Sequence, residues 1–264
     1  MKRIIFTSLN ILIFTSVLLS CSSEIDENER LVYVEPAAAT RSVLIEDFTG
    51  QRCVNCPKAT ETIEQLMAAY NSDTAEYIIP VAIHSGPMGV FKDGNNFVAL
   101  GTDTGKDYWN AWFSSTQGQP VGKINRGDAS TDLTSWAGTI AAALANPTDV
   151  SISAIAAISA DSITATITTL GKAGVKANLQ VWLTEDSIQT LQLMPNGSAN
   201  YDYIHNHVFR AAFNGTWGEP ITFAESEIYT DYTIALDPRW NPSQLHVVAF
   251  VYDDTGVLNV TRSR

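Results

Sequence analysis

Two cysteines three positions apart, Cys53 and Cys56, are the residues of this chain best suited to do chemistry. The chain has three cysteines, and the third, Cys21, lies well upstream. In a C-x-x-C pair the first thiolate attacks a sulfur, and the second resolves the mixed disulfide that forms. A helix start favours the thiolate, because free backbone N–H groups there stabilise negative charge. Cys53 is therefore expected to attack and Cys56 to resolve. Arg52 adds positive charge directly before Cys53. Pro57 is tolerated in a first helical turn, where N–H groups have no intrahelical partner. A permanent structural disulfide is the competing reading, since an oxidising compartment would also produce one. A metal site is disfavoured because one C-x-x-C supplies half of a tetrahedral ligand set.

The elements that must position this pair are readable around it. Residues 42–48 read as a strand feeding Thr49-Gly50, and 58–70 as a helix with Ile63, Leu66 and Met67 on one face. Residues 77–84 form a nearly continuous apolar run, as a buried parallel strand would. A short helix over 106–113, a strand over 120–125 and a helix over 131–146 follow, with Pro147 as a stop. Beyond it the chain alternates β-branched and small residues in about seven short strands, one of them drawn over 201–213. The expected fold is an α/β domain over 41–147, followed by an all-β immunoglobulin-like sandwich over 148–264.

The class of the first domain rests on a resemblance. Leu44-Ile-Glu-Asp-Phe-Thr-Gly-Gln-Arg-Cys-Val-Asn-Cys-Pro-Lys58 resembles the first core strand, active-site loop and helix start of the thioredoxin superfamily. The resemblance implies that the α/β domain is thioredoxin-like and that Asp47 is a buried acid taking the resolving thiol's proton, directly or through a water. An exposed, unpaired strand residue is the alternative for Asp47. It also implies that Pro120 is a cis-proline near the sulfurs and that Gln119, with Arg52, helps position substrate. The chain departs from the pattern at Arg52, where an aromatic is usual, and at Val54-Asn55 between the cysteines.

At the amino terminus, Lys2 and Arg3 precede an apolar run over 4–19, and Leu18-Leu-Ser-Cys21 resembles a bacterial lipobox. The expectation is a signal peptide over 1–20 and an acylated Cys21, with an acidic tether over 21–40. The formal charge of the whole chain is −12. That acidity argues against nucleic acid and anionic lipid headgroups as partners, both of which need positive fields. A membrane reached through the lipid anchor, with extracytoplasmic protein thiols or disulfides or a surface ligand, is the expected set of partners. No motif asks for a cofactor.

Lipobox, acidic tether, C-x-x-C domain and trailing β region together resemble the outer-membrane protein 28 family of Bacteroidetes lipoproteins, as do residues 118–126 and 205–210. This implies an outer-membrane address, on the periplasmic side or the cell surface, more than it implies a reaction. His205 and His207, with Asp202 near, are a weak metal candidate; on one strand they would share a face. His84 ends a strand beside the cysteine loop. Asp186-Ser-Ile188 resembles a short O-glycosylation acceptor. Two functions stay open: a tethered thiol–disulfide oxidoreductase, or a non-enzymatic surface lipoprotein with a structural disulfide.

Overall fold

A computed structural model describes residues 41–263. Cys21, the signal region and the tether lie outside the described residues. Strand β1 (Val43–Thr49) is buried along its whole length and pairs in parallel with β2 (Ile78–His84), through helix α1 (Cys56–Tyr70). On α1, Ala59, Ile63 and Leu66 fall at helical spacing and form the buried face. Asn71 ends it: the side-chain carbonyl accepts the Tyr77 and Ile78 N–H groups, at 2.9 and 2.8 Å, so the helix stop also starts β2. Helix α2 (Asp103–Trp112) is capped by Thr102, whose hydroxyl accepts the Gly105 N–H at 3.0 Å. Helix α3 (Leu133–Ala145), capped by Asp132, buries Trp136, Ile140 and Leu144.

The other strands are β3 (Val121–Ile124), β4 (Ala129–Ser130), β5 (Ser151–Ile158), β6 (Ser162–Leu170), β7 (Lys176–Glu185), β8 (Ile188–Leu193), β9 (Ala199–His205), β10 (Val208–Ala212), β11 (Glu219–Thr222), β12 (Ile228–Ala235), β13 (Leu245–Asp253) and β14 (Gly256–Arg262). The main sheet runs β14-β13-β7-β10-β2-β1-β3-β4, with β11 also on β7. It is mixed: β1 and β10 flank β2 in parallel, while β3, β7, β13 and β14 are paired antiparallel. Strands β12-β6-β5 make a small second sheet, and β8-β9 stand apart as a hairpin. Among the described residues no helix is long and apolar enough to cross a membrane.

This corrects the expected fold class. Among the described residues strand outweighs helix, with three α-helices, and there is no α/β thioredoxin-like domain set apart from an immunoglobulin-like sandwich. Strands assigned to a separate sandwich (β7, β10, β13 and β14) instead continue the sheet begun by β1, β2 and β3. The physical reason lies in β7 and β13. A sandwich strand keeps one face in water, but Gln180 to Glu185 and Val247 to Val251 are buried on both. Trp182, Val248 and Phe250 join Leu44, Phe48, Ile83 and Trp109 in one core under α2. Leu179, Val181, Leu183, Val247 and Ala249 point the other way, against Ile163, Ala165 and Ile167 of β6. A third core, of Val43, Ile45, Ile63 and Trp136, lies between β1, α1 and α3.

The seam of the first core holds a charge. Arg126 follows β3, and its guanidinium carbon lies 4.0 Å from the Tyr252 ring centroid, 4.7 Å from Phe250, 5.5 Å from Trp112 and 5.7 Å from Trp182. Its Nε is 3.4 Å from Glu46 Oε1 on β1, with the two side chains 6% and 0% exposed. Burial pushes the Glu46 carboxyl above its usual range, and the Arg126 charge opposes that rise. Removing one partner of such a pair strands the other charge, at about 3–5 kcal/mol. Arg126→Ala should therefore lower the unfolding free energy by about that amount, read from urea midpoints at unchanged slope. Arg126→Met combined with Glu46→Gln should recover much of it. A loss below about 1 kcal/mol in Arg126→Ala, the level of an exposed pair, would contradict this role.

Candidate functional site

The cysteines sit in the turn that leaves β1. Gly50 begins it because a side chain there would run into the Met88 backbone. The Arg52 N–H then donates to the Met88 carbonyl at 3.1 Å, and the Cys53 N–H to the Gly50 carbonyl at 2.9 Å. Cys53 and Cys56 are joined as a disulfide and are 3% and 2% exposed. The helix begins two residues before the expected 58–70: Cys56 is its first residue and Asn55 its cap, while Cys53 lies in the preceding turn and not at the helix start. The Arg52 side chain is exposed.

Asp47 lies on the β1 face that carries Val43 and Ile45, the α1 side. It is 2% exposed, which excludes the exposed-residue alternative, and its Oδ1 has no hydrogen-bond partner. Burial alone raises its pKa to about 7. Asp47 lines a cavity of about 30 Å³ with Thr60, Ile63 and Glu64 of α1, room for one water. Thr60 stands four residues after Cys56 and hence on the same helix face. Asp47 thus shares a small cavity with Thr60, the residue one helical turn from Cys56, though Cys56 itself does not line it.

The Gln119–Pro120 peptide is cis and Pro120 is buried. Gln119 Nε2 donates to the Thr49 carbonyl at 2.8 Å and the Ser85 carbonyl at 3.1 Å, while its Oε1 accepts the Met88 N–H at 3.0 Å. Its side chain therefore ties together the ends of β1 and β2 and the loop that holds Arg52. Cys53, Cys56, Pro120, Gln119 and Arg52 are brought to one end of the sheet, and Asp47 lies beneath them along β1.

The histidine pair does not share a strand face. Strand β9 ends at His205, and β10 starts after His207, whose φ of 58° turns it away. His205 packs edge-on against His84, with ring centroids 5.1 Å apart. Burial lowers both, His205 to about 4 and His84 well below the usual histidine value. His207 instead faces Asp186, Nδ1 to Oδ1 3.3 Å. Among the described residues no cluster of three or more His, Cys, Asp or Glu could hold a metal ion.

Sequence reasoning missed Gln51 and Gln192. Gln192 on β8 is 2% exposed, and its Nε2 donates to the Cys53 carbonyl at 2.9 Å. Gln51, fully buried, donates to the Leu191 carbonyl at 3.2 Å and accepts the Leu100 N–H at 2.9 Å. The β8–β9 hairpin thus covers the cysteine turn. Its sequence signal, Ile-Gln-Thr-Leu-Gln-Leu after Asp186-Ser187, lost its alternation at a register shift between Thr190 and Gln192.

Comparison with known proteins bears on the whole chain. Residues 105–264 match the family described as outer membrane protein Omp28. That stretch exceeds half of the chain and includes residues 118–126 and 205–210, but begins after the cysteine turn. No curated protein matches the chain. Among solved structures, HBP35 of Porphyromonas gingivalis is similar at a TM-score of 0.67 and 16% identity, covering 84% of this chain and 74% of that one. A protein of Agrobacterium tumefaciens is similar at a TM-score of 0.48 and 12% identity, covering 84% of this chain and 93% of its own. At these identities the likeness to HBP35 is one of fold.

The state of Asp47 has a measurable consequence. Its carboxyl is raised from 3.8 to about 7, so the folded protein keeps a proton that the unfolded chain releases. The associated stability is present below about pH 4 and is lost as pH rises to about 7. Asp47→Asn should match the parent near pH 4 and exceed it at pH 8, by up to about 4 kcal/mol. Urea unfolding of both proteins at the two pH values measures the difference. An advantage that does not grow with pH would show that Asp47 is ionised at little cost.

Proposed function

This chain belongs to the outer membrane protein Omp28 family, and from that premise we propose that it is an outer-membrane protein with a thiol–disulfide exchange centre at Cys53 and Cys56. The outer-membrane address follows from the family. The observation that carries the redox reading is Asp47: a buried carboxyl without a partner, its pKa near 7, against the helix that Cys56 begins. Such a group destabilises a fold, and carboxyls perturbed in this way concentrate at sites of proton transfer.

In the exchange, the Cys53 thiolate of the reduced pair attacks a client disulfide, forms the mixed disulfide and releases the first client sulfur as a thiolate. The Cys56 thiolate attacks Cys53, the pair re-forms its disulfide, and the client leaves as a thiolate. Asp47 receives the proton that Cys56 sheds, through the small cavity it shares with Thr60. Gln119 positions the turn through its hold on the ends of β1 and β2, and Pro120 and Arg52 flank the client. Attachment to the membrane is through an acylated Cys21, in keeping with the lipobox-like segment before it.

A structural disulfide on a non-enzymatic surface protein is the second reading, favoured by the burial of both sulfurs beneath Gln192. The reduction potential of the pair separates the two. Equilibration in thiol buffers should give a value between about −120 and −270 mV, the span of known oxidoreductases, whereas a pair still oxidised below about −300 mV is structural. Cys53→Ser should abolish disulfide-reductase turnover, and Cys56→Ser should accumulate mixed disulfides. Undiminished turnover in Cys53→Ser would end the redox reading. Normal lipid labelling of Cys21→Ala would end the proposed anchor.

A further inference from the structure

The β8–β9 hairpin lies on the cysteine turn without pairing to any strand of the main sheet. Its inner segment, Thr190 to Leu193, runs along the backbone of Gln51 to Cys53 and holds it as an extended peptide would. The Leu193 N–H donates to the Gln51 carbonyl at 2.8 Å. Gln192 Nε2 donates to the Cys53 carbonyl, and Gln51 Nε2 returns a bond to the Leu191 carbonyl. Thr190 Oγ1 accepts the Val98 N–H at 2.8 Å and donates to the Val98 carbonyl at 3.0 Å. Both backbone and side-chain groups beside Cys53 are therefore already satisfied by a segment of the same chain.

The hairpin is tied to the rest of the fold at its base, and its strand β9 also rests on the fold, with His205 against His84 of β2 and Tyr203 hydrogen-bonded to Thr60 of α1. Ser187 and His207, at its two ends, have φ of 60° and 58°, a left-handed conformation uncommon outside glycine. Two crossing bonds close the base: Ser187 N–H to Asn206 Oδ1 at 2.9 Å and His207 N–H to Asp186 Oδ1 at 2.6 Å. Arg262 of β14 holds the other Asp186 oxygen at 2.7 Å. Beyond that base no ladder joins the hairpin to the main sheet; side-chain and single backbone hydrogen bonds, with Leu191 and His205 as its buried contacts, hold it in place, and a unit outside the main ladder can open below the global unfolding free energy.

We infer that Thr190–Leu193 occupies the client's docking line, and that the substrates of the Cys53–Cys56 pair are extended, non-native polypeptide segments that displace it. Backbone already paired inside a client's own helices or sheets cannot make these bonds. In the oxidised pair, a client thiolate attacks the Cys53 sulfur, the Cys53–Cys56 bond breaks, and Cys56 leaves as a thiolate that takes up a proton. A second client thiolate then attacks the client sulfur of the mixed disulfide and releases Cys53. The client dithiol loses two electrons and the pair gains them.

This inference rests on the redox reading, and one set of experiments separates their failures. The full chain carrying Cys21→Ser and Cys56→Ser keeps Cys53 as its one thiol. It is exposed to an unstructured peptide whose single cysteine is activated as an aromatic disulfide. Hydrogen exchange of the conjugate should show protection of the Leu193 amide falling about tenfold or more, while the β7 amides are unchanged. A conjugate with Leu193 protected as before would overturn the docking inference and leave the redox reading standing. Failure to conjugate would overturn the redox reading and the inference with it. Independently, Gln192→Ala should speed reduction of the Cys53–Cys56 disulfide by a water-soluble phosphine about tenfold, the factor that ~1.4 kcal/mol represents. An unchanged rate, at unchanged global stability, would remove the hairpin's control of access whatever the peptide does.

Discussion

The buried pair of Arg126 and Glu46 sets the terms for the rest of this fold. A guanidinium taken from water must be matched by charge and by polarisable surface, or it is strongly destabilising. Glu46 on β1 supplies the charge, and aromatic faces from α2, β7 and β13 supply the surface. Those elements come from both halves of the sequence, so neither half can satisfy Arg126 alone. The turn that delivers it is equally demanding. Asn125 and Arg126 have φ of 51° and 60°, and the Asn125 side chain accepts the Leu44 N–H at 2.8 Å. The Asn125 carbonyl accepts the Val257 N–H at 2.9 Å, so close to Gly256 that a Cβ there would sit 2.5 Å from the oxygen.

This interdependence explains which parts of the structure were legible in the sequence. Period and capping located β1, α1, β2, α3 and β6 to within a few residues, because each is specified by its own neighbours. The break after Pro147 is a real change in composition, but composition does not report pairing. The contact of Val208 with Ala82 that joins β10 to β2 spans more than a hundred residues of sequence and leaves no local trace. Nor does a continuous apolar run such as Val247 to Val251 say what covers its second face. Reading those strands as a half-exposed sandwich was the natural consequence.

The candidate site divides along the same line. Cys53 and Cys56 stood out as a local pattern, while Asp47 and Pro120 were singled out only through the order of landmarks in the resemblance. Gln192 and Gln51 were not, since a glutamine in a short strand or a turn has no distinguishing chemistry until a carbonyl is placed against it. Asp186 shows the converse. Read as part of a surface modification motif, it proves to be the anchor at the base of the hairpin, held by Arg262 and facing His207. Short motifs are satisfied by chance more easily than buried ion pairs are.

Two features near the disulfide have little structural purpose, and they weigh together. A bridge closing a C-x-x-C loop restrains so few residues that loop-closure entropy attributes only about 2 kcal/mol to it. The turn is already fixed by the bonds of Cys53 to Gly50, Arg52 to Met88 and Gln192 to Cys53. As a staple the disulfide is largely redundant. Asp47 is worse than redundant, because a buried carboxyl with an unsatisfied oxygen destabilises the fold at any pH that ionises it. Local departures from a stable arrangement are expected where chemistry requires them. An inert staple leaves Asp47 unaccounted for, whereas the proposed exchange would use a proton acceptor on the α1 side of β1, where Asp47 shares a cavity with Thr60. On the proposed reading, burial of the cysteines beneath the β8–β9 hairpin is the closed form of the centre, in which Gln192 and Leu193 hold the backbone of the cysteine turn.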